Sequence, residues 1–404
     1  MKPTLTPEMQ NTWDMLNLIE RSHPYTTRAT IAKILNKSRT TVSNIVNQLM
    51  DLHFVEELDS AANGRGRPGI PLTLSSNHWY ALGASFLGEH WHFLIVNLSG
   101  KVVKESTIAV KDESIEEFIK TLIRGLTIMK QEVKGELLPL IGIGTPGLVN
   151  SETGVIERAD DMGWKKVAVK EPVMEALGIP CYVMNRHRAA GLAEARYGSG
   201  KGVRNLIYIG IGNGISAAFI NDGELLEGAN YSAGEIGHLL IDPDGPLCGC
   251  GRYGCLQAYS AGPALVRIFK EKYVSMKALG DTLPSNILFD AIESNSLSAE
   301  KIAYQANEGN AEAIVCLERI AVQLGITVSN LINALNPQKI IFGGPLANTG
   351  PLLAHLIQKE AAIRAMPSPF SSVQIEASSL GNIASSLGAA YLPLKYKLEV
   401  VLSS

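Results

Sequence analysis

Leu140-Ile-Gly-Ile-Gly-Thr-Pro-Gly147 is the run from which the fold of this chain is read. It is apolar, too short for a helix, and closed by Thr-Pro-Gly, the pattern of a buried strand running into a turn. Pro180-Cys-Tyr-Val-Met184, Asn205-Leu-Ile-Tyr-Ile-Gly-Ile-Gly212 and Lys339-Ile-Ile-Phe-Gly-Gly344 repeat it. Ahead of them, Ala81-Leu-Gly-Ala-Ser-Phe86 and Trp91-His-Phe-Leu-Ile-Val-Asn-Leu-Ser-Gly100 read as a hairpin, and Glu116 to Met129 as an amphipathic helix. Strands alternating with helices predict an α/β architecture, in which ligands gather at strand ends.

The whole chain has 404 residues, 46% hydrophobic and 19% charged, enough for two or three domains. A net charge of -3 gives no global attraction to polyanions, so any nucleic-acid binding must be local. No apolar run is long enough to span a bilayer, and MKPTLTPEMQ lacks the apolar core of a secretory signal. These features predict a soluble, cytoplasmic protein with no membrane partner.

The first 75 residues carry a separate chemistry. Thr6-Pro7-Glu8 starts a helix with Trp13, Leu16, Leu18 and Ile19 on one stripe, and Pro24 ends it. Thr27 can cap a second helix over 28–35 and Ser38 a third over 39–50, joined by the turn Asn36-Lys37. This is the helix-turn-helix pattern, whose second member reads a major groove. Ile31, Ile34, Leu35, Val42, Ile45, Val46 and Leu49 have the spacing of its core. No Asp or Glu occurs between Arg21 and Met50, which makes the stretch a local basic patch. The candidate DNA contacts are Arg28, Ser38, Arg39, Thr40, Thr41, Ser43, Asn44 and Asn47. Phe54 to Leu58 and Ile70 to Leu74 then read as strands flanking Gly64-Arg-Gly-Arg-Pro-Gly69, a wing whose Arg65 and Arg67 suit a narrow minor groove. The same helices also fit a packing module that never meets DNA, and the glycine-rich segment also fits a basic linker.

Cys248-Gly-Cys-Gly-Arg-Tyr-Gly-Cys255 holds three of the five cysteines, just after Gly234-Glu-Ile-Gly-His238. In a reducing compartment such a cluster reads as metal ligands before disulfides. His238, Cys248, Cys250 and Cys255 form a donor set that suits one structural Zn²⁺, a closed site without an open position. A cysteine-rich loop without metal fits the same spacing. Cys181 and Cys316 lie in apolar surroundings and read as packing residues.

Residues 80 to 392 resemble the ROK family of bacterial sugar kinases and sugar-responsive repressors. The resemblance rests on Gly142-Ile-Gly-Thr-Pro-Gly147, Gly163-Trp164, Gly228-Ala-Asn230, Gly234-Glu-Ile-Gly-His238, the cysteine cluster, and Asn336-Pro337 leading to Gly343-Gly344. It implies a two-lobed, actin-like ATPase fold behind the N-terminal winged helix-turn-helix, divided as 1–75, 76–190 plus 385–404, and 191–384. The winged helix is similar to the repressor branch, which includes xylose and N-acetylglucosamine operon regulators.

By the same resemblance, the kinases' catalytic aspartate corresponds to Arg186, in Met184-Asn-Arg-His-Arg-Ala-Ala190. A guanidinium cannot accept the hydroxyl proton, and loss of a general base costs about 10²- to 10⁴-fold. Ser85-Phe-Leu-Gly-Glu89 and Gly212-Asn-Gly-Ile-Ser-Ala-Ala218 depart from the two phosphate loops. The expectation is therefore no enzyme. Asn185, Glu235 and His238 match sugar-holding positions, and Gln257 stands where the family has Glu. Zinc would fix the loop that carries His238 and Gln257. Arg186, His187 and Arg188 could hold a phosphate or carboxylate, or could pair with Glu194, Asp160 or Asp161.

The expected function is a DNA-binding repressor of a sugar-utilisation operon, released from a double-stranded operator when a sugar or sugar-phosphate binds. A homodimer or dimer of dimers follows from operator symmetry, with the apolar helix Ala313 to Leu335 as a contributor to dimer contacts. A ROK-type hexose kinase using ATP, and a regulator governed by a partner protein or by zinc itself, stay open.

Overall fold

A computed structural model describes residues 7–22, 26–58, 69–112, 114–278 and 287–402. It begins with α1 (Pro7–Ser22), β1 (Thr26–Thr27), α2 (Arg28–Ile34), α3 (Arg39–Asp51), β2 (Val55–Glu57) and β3 (Pro71–Leu74). The Thr27 hydroxyl accepts the Thr30 N–H at 3.2 Å and the Ser38 hydroxyl accepts that of Thr41 at 3.0 Å. Each satisfies an N–H that a first helical turn leaves unpaired, which is why α2 and α3 start there. β3 pairs antiparallel with both β1 and β2, completing a winged helix-turn-helix. Ile31, Val42, Val46 and Leu49 are fully buried, as their spacing requires. Ile34 is not: it is 57% exposed, because α2 ends there and Leu35 turns inward instead. The wing tip with Arg65 and Arg67 lies outside the described residues, as do Thr6 and Pro24.

The next elements are β4 (Trp79–Phe86), β5 (His90–Asn97), β6 (Val102–Ala109), α4 (Ile115–Gln131), β7 (Glu136–Thr145), β8 (Leu148–Asn150), β9 (Val155–Ala159), β10 (Trp164–Ala168), α5 (Lys170–Leu177) and β11 (Cys181–Asn185). Five of these strands form a sheet of order β11-β7-β4-β5-β6, while β8, β9 and β10 form a small sheet of their own. There follow α6 (Arg186–Tyr197), β12 (Leu206–Ile211), β13 (Ile215–Asn221), β14 (Glu224–Leu225), α7 (Leu256–Ser260), α8 (Gly262–Ala278), α9 (Ile287–Glu293), α10 (Ala299–Asn307) and α11 (Ala311–Leu335). The chain continues through β15 (Lys339–Gly343), α12 (Leu352–Arg364), α13 (Pro367–Ser372), β16 (Gln374–Ala377), α14 (Ala384–Lys395) and α15 (Lys397–Leu402).

The second large sheet has the order β14-β13-β12-β15-β16. Read from its first strand, it repeats the first: a three-strand meander on one side, then two later strands added on the other. The run 212–218, read from sequence as a glycine-rich loop, is mostly β13, whose small residues pair in register with β12. α11 is built into its own core. Cys316, Leu317, Ile320 and Leu324 are buried in the cluster around it, leaving Val315 and Leu335 as its large exposed apolar groups. Most of the stripe offered for dimer contacts is thus internal. Burial pushes the Cys316 thiol up to about 11 and the Cys181 thiol up to about 12, in keeping with packing residues.

Residues 1–143, 170–182 and 389–404 form one compact unit, and 144–169 with 183–388 the other. The sequence reading cuts at 75, 190 and 384 instead. Two contacts of the first unit explain why the winged helix belongs to it. Trp79 Nε1 donates to the Leu52 carbonyl at 2.8 Å, with the Trp79 ring stacked 5.9 Å from Phe54. Lys397 of α15, buried, is paired with half-buried Glu20 of α1 at 3.0 Å and lies 5.6 Å from the centre of the Trp13 ring. Arg158 of β9 reaches the Gly249 carbonyl at 3.4 Å, a contact that links 144–169 to the second unit.

Candidate functional site

The second unit contains a cavity of about 500 Å³, in the range of small-molecule sites. Asn185, Arg186, Glu235, His238 and Gln257, named from separate stretches of sequence, all line it. β11 delivers Asn185, which caps α6: its carbonyl oxygen accepts from the N–H of His187 at 2.8 Å and of Arg188 at 3.2 Å. Its amide donates to the Gly147 carbonyl at 2.8 Å, tying the cap to the turn after β7. Asn185 therefore positions two walls of the cavity as well as facing it.

Arg186 is 9% exposed, with Asp161 and the Tyr208 hydroxyl favouring its charged form. Burial pulls its guanidinium below the ordinary value, against both of those groups. Nothing about this group makes it a proton acceptor. Arg186, His187 and Arg188 do not converge. Burial, with Arg186 beside it, pushes the His187 imidazole down to about 3, so it is neutral. Arg188 donates to the Tyr231 carbonyl. Glu194, offered as an ion-pair partner, is bound instead by Ser378 and by the N–H groups of Ser199 and Leu380. Burial raises the Glu235 carboxyl to about 7, against the pull of Arg188.

The metal candidates form one corner of this cavity. Ligand atoms of His238, Cys248, Cys250 and Cys255 all lie within 4.8 Å of one another. Cys250 and Cys255 sulfurs are 3.7 Å apart, and Cys248 Sγ is 3.9 Å from His238 Nδ1. Four donors at about 2.0–2.3 Å from a tetrahedral ion would sit about 3.3–3.8 Å apart, so the cluster is nearly preformed. Local geometry makes this possible. The Cys248 N–H donates to the Arg252 carbonyl at 2.8 Å, folding the loop back on itself. Gly254 has φ 71°, and a Cβ there would lie 1.6 Å from the Asp242 carbonyl oxygen, so only glycine fits.

The electrostatics also suit a metal. Burial pushes the Cys250 thiol up, but hydrogen bonds from Arg252 and the other cysteines bring it down to about 7. Burial, with Cys250 and Cys248 beside it, pushes the Cys255 thiol up to about 12, so that proton is one a metal would have to displace. Burial holds His238 below its usual value, as the neutral imidazole a ligand requires. Arg158, ion-paired with Asp160, braces the loop from outside. Sequence reasoning missed Arg158, Asn213, Ser216 and Arg252 as lining residues. Arg252, inside the cysteine run, and Asn213 and Ser216, inside the glycine-rich run 212–218, carried a local signal; Arg158 did not.

On the winged helix, Arg39, Thr40, Thr41, Asn44 and Asn47 are exposed along α3, while Ser43 is half-buried and Ser38 is engaged as the cap. Arg28 does not join that face. Its guanidinium pairs with Glu57 of β2 at 3.0 Å and donates to Asn47 at 2.8 Å and to the Ser43 carbonyl at 3.2 Å. It braces α3 against the wing strand, and it also occupies the Asn47 side chain. No helix among the described residues is long and apolar enough to cross a membrane.

Residues 83–395 match the ROK family and residues 5–66 the MarR family. The chain is 28% identical to the xylose repressor of Caldicellulosiruptor bescii over 373 residues, 89% of this chain and 90% of that one. It is 29% identical to a glucokinase of Halalkalibacterium halodurans over 322 residues, 78% of this chain and 95% of the kinase. The crystal structure of a ROK family transcriptional regulator, a homologue of the E. coli MLC protein, covers 97% of both chains at 26% identity with a TM-score of 0.81. The glucokinase thus matches a share close to the ROK segment alone, whereas the two regulators also take in the winged helix. This chain belongs to the ROK family, with the actin-like ATPase fold of that family following a MarR-like winged helix-turn-helix.

Proposed function

We propose that the protein is a cytoplasmic transcriptional repressor of a sugar-utilisation operon, and that a sugar bound in its cavity releases it from DNA. One observation carries the reading: Arg186 is buried in the cavity where a kinase needs its base, on a chain that also presents an exposed, capped α3. A cavity that cannot deprotonate a hydroxyl can still bind one. Arg39, Thr40, Thr41 and Asn44 would contact phosphates and base edges, with Asn47 held by Arg28. A homodimer would place two α3 helices on half-sites about 34 Å apart, and sugar binding would favour a dimer geometry that fits both less well.

The four-ligand corner suits Zn²⁺, held by His238 Nδ1 and the three sulfurs. A bound ion there supplies a cross-link, since protein atoms fill all four positions. The chain's own residues do the rest: Arg252 favours the Cys250 thiolate, and Arg158 with Asp160 keeps the loop in place.

Selection of bound sequences from random duplexes tests the reading, followed by release assays with D-xylose, D-glucose and their phosphates. An operator that is bound and then released by a free sugar is expected. Steady phosphorylation of either sugar by ATP, with no duplex selected, would replace it with the kinase reading.

A further inference from the structure

Three thiols share the metal corner, and they are not equally open. Cys248 and Cys255 are buried, whereas Cys250 is half-buried and is the one sulfur of the three that lines the cavity. Cys255 Sγ stands 3.7 Å from it. Cys248 Sγ is engaged elsewhere, with His238 Nδ1 at 3.9 Å and Gln257 Nε2 at 3.4 Å. Between Cys250 and Cys255 the backbone turns on two glycines in the left-handed region, Gly251 at φ 85° and Gly254 at φ 71°, so a short local loop brings the two sulfurs together. A disulfide needs about 2.0 Å between its sulfurs, so small movements of two side chains would close the gap. The chemistry of such a pair follows from its geometry. A thiolate, not a thiol, attacks a peroxide, and a sulfur that ligates a metal is already deprotonated. An accessible sulfur with a second one in reach is the arrangement in which oxidation stops at a disulfide instead of running on to a sulfinic acid.

We propose that Cys250 and Cys255 form a modification site for hydroperoxides: Cys250 is attacked from the cavity, Cys255 resolves it, and the disulfide that results empties the metal corner. This goes beyond the sugar-responsive reading and stands without it. In the first step the Cys250 thiolate attacks hydrogen peroxide; its S–O bond forms as the O–O bond breaks, and the hydroxide released takes a proton to become water. Arg252 is hydrogen-bonded to Cys250, so its guanidinium stands ready to donate to the departing oxygen. In the second step the Cys255 thiolate attacks the Cys250 sulfur; the S–S bond forms, the S–O bond breaks, and a second hydroxide leaves as water. The two sulfurs lose two electrons, the peroxide gains them, and two protons are consumed. His238 and Cys248 then remain, half of a tetrahedral set and too few to retain an ion. A dithiol reductant reverses the bond by exchange.

The test treats the zinc-loaded full chain with hydrogen peroxide and no added thiol. Zinc captured by a chromophoric chelator, free thiols, and tryptic peptides in mass spectrometry are followed together. Trypsin cuts after Arg252, between the two cysteines, so the disulfide shows as two joined peptides that separate on reduction, with fragmentation assigning the link to Cys250 or Cys248. One zinc released per linked chain is expected, at least about 10-fold faster than oxidation of Cys181 and Cys316, which are buried outside the cavity lining and act as controls in the same molecule. Dithiothreitol with fresh zinc should restore the starting state. Cys255→Ala, with circular dichroism confirming its fold, should lose the link and carry Cys250 on to sulfinic acid. Should that variant not fold, the wild-type peptide map decides alone. Oxidation spread evenly over the five cysteines, a link made through Cys248, or zinc retained while Cys250 and Cys255 are joined would overturn the proposal. A wild type that takes up no zinc would overturn its metal half, with the peptide map still deciding the thiol half.

Discussion

The metal corner and the α3 face are opposite solutions to presenting polar groups. In the corner the polar side chains are tied to one another: four candidate ligands within 4.8 Å, Gln257 on Cys248, Asn185 on Gly147, and Arg158 on Asp160. Along α3 the side chains of Arg39, Thr40 and Asn44 extend into solvent from a helix held at its cap and by Arg28. A small ligand with a few hydroxyls is recognised only by groups already in place, because it has little binding energy with which to order them. A DNA duplex offers many phosphates, so exposed side chains on a rigid helix suffice. Rigidity sits in the side chains at one site and in the backbone at the other.

Substitutions should break the two regions in different ways. Cys255→Ser removes a buried ligand and should lower zinc affinity by more than about 100-fold, beyond the loss of a supporting residue, abolishing sugar binding while α3 remains folded. Metal analysis after dialysis, with calorimetry, reads this. Arg39→Ala comes next: operator affinity should fall about 10-fold in binding titrations, with a salt dependence shallower by about one unit if the contact is to phosphate, and sugar binding unchanged. Arg28→Ala should act by another route. Losing its bonds to Glu57, Asn47 and Ser43 should cost about 1–2 kcal/mol of stability in denaturant unfolding, without a change in salt slope.

The last effect, visible only on acidification, concerns His187. Its imidazole is pushed down to about 3 by burial, with Arg186 next. Unfolded, the same group takes up a proton near pH 6.5. The unfolded state therefore binds more protons between those values, so this stability contribution is present above pH 6.5 and lost on acidification. Wild type should lose up to about 1.4 kcal/mol per pH unit below 6.5 from this group. His187→Gln should show a flatter acid limb in unfolding midpoints measured from pH 7 to 5.

The buried strands were legible because each is a compact apolar run, and β7, β11, β12 and β15 fall within a few residues of their expected places. β13 and the β8–β10 sheet were not. Gly214 to Ala218 holds a single β-branched residue, Ile215, among small ones, and the small sheet forms from segments too short to carry a period. The cysteine cluster was readable because its candidate ligands lie close together in sequence. Arg28 looked like a DNA contact because charge and helix position are local facts. The Glu57 it pairs with is 29 residues away. Arg158 entered the cavity unannounced for the same reason: its neighbour Gly249 is 91 positions distant.

Glu20 and Lys397 lie 377 positions apart in sequence and are ion-paired, with the Lys397 end buried. Removing one member of such a pair strands a charge, at about 3–5 kcal/mol. The operator reader is therefore no pendant on a string: it shares hydrophobic ground with the tail of the chain. Loss of the last helix and loosening of the reader would be one cooperative event, so calorimetric melting of the first unit should not resolve the two into separate peaks.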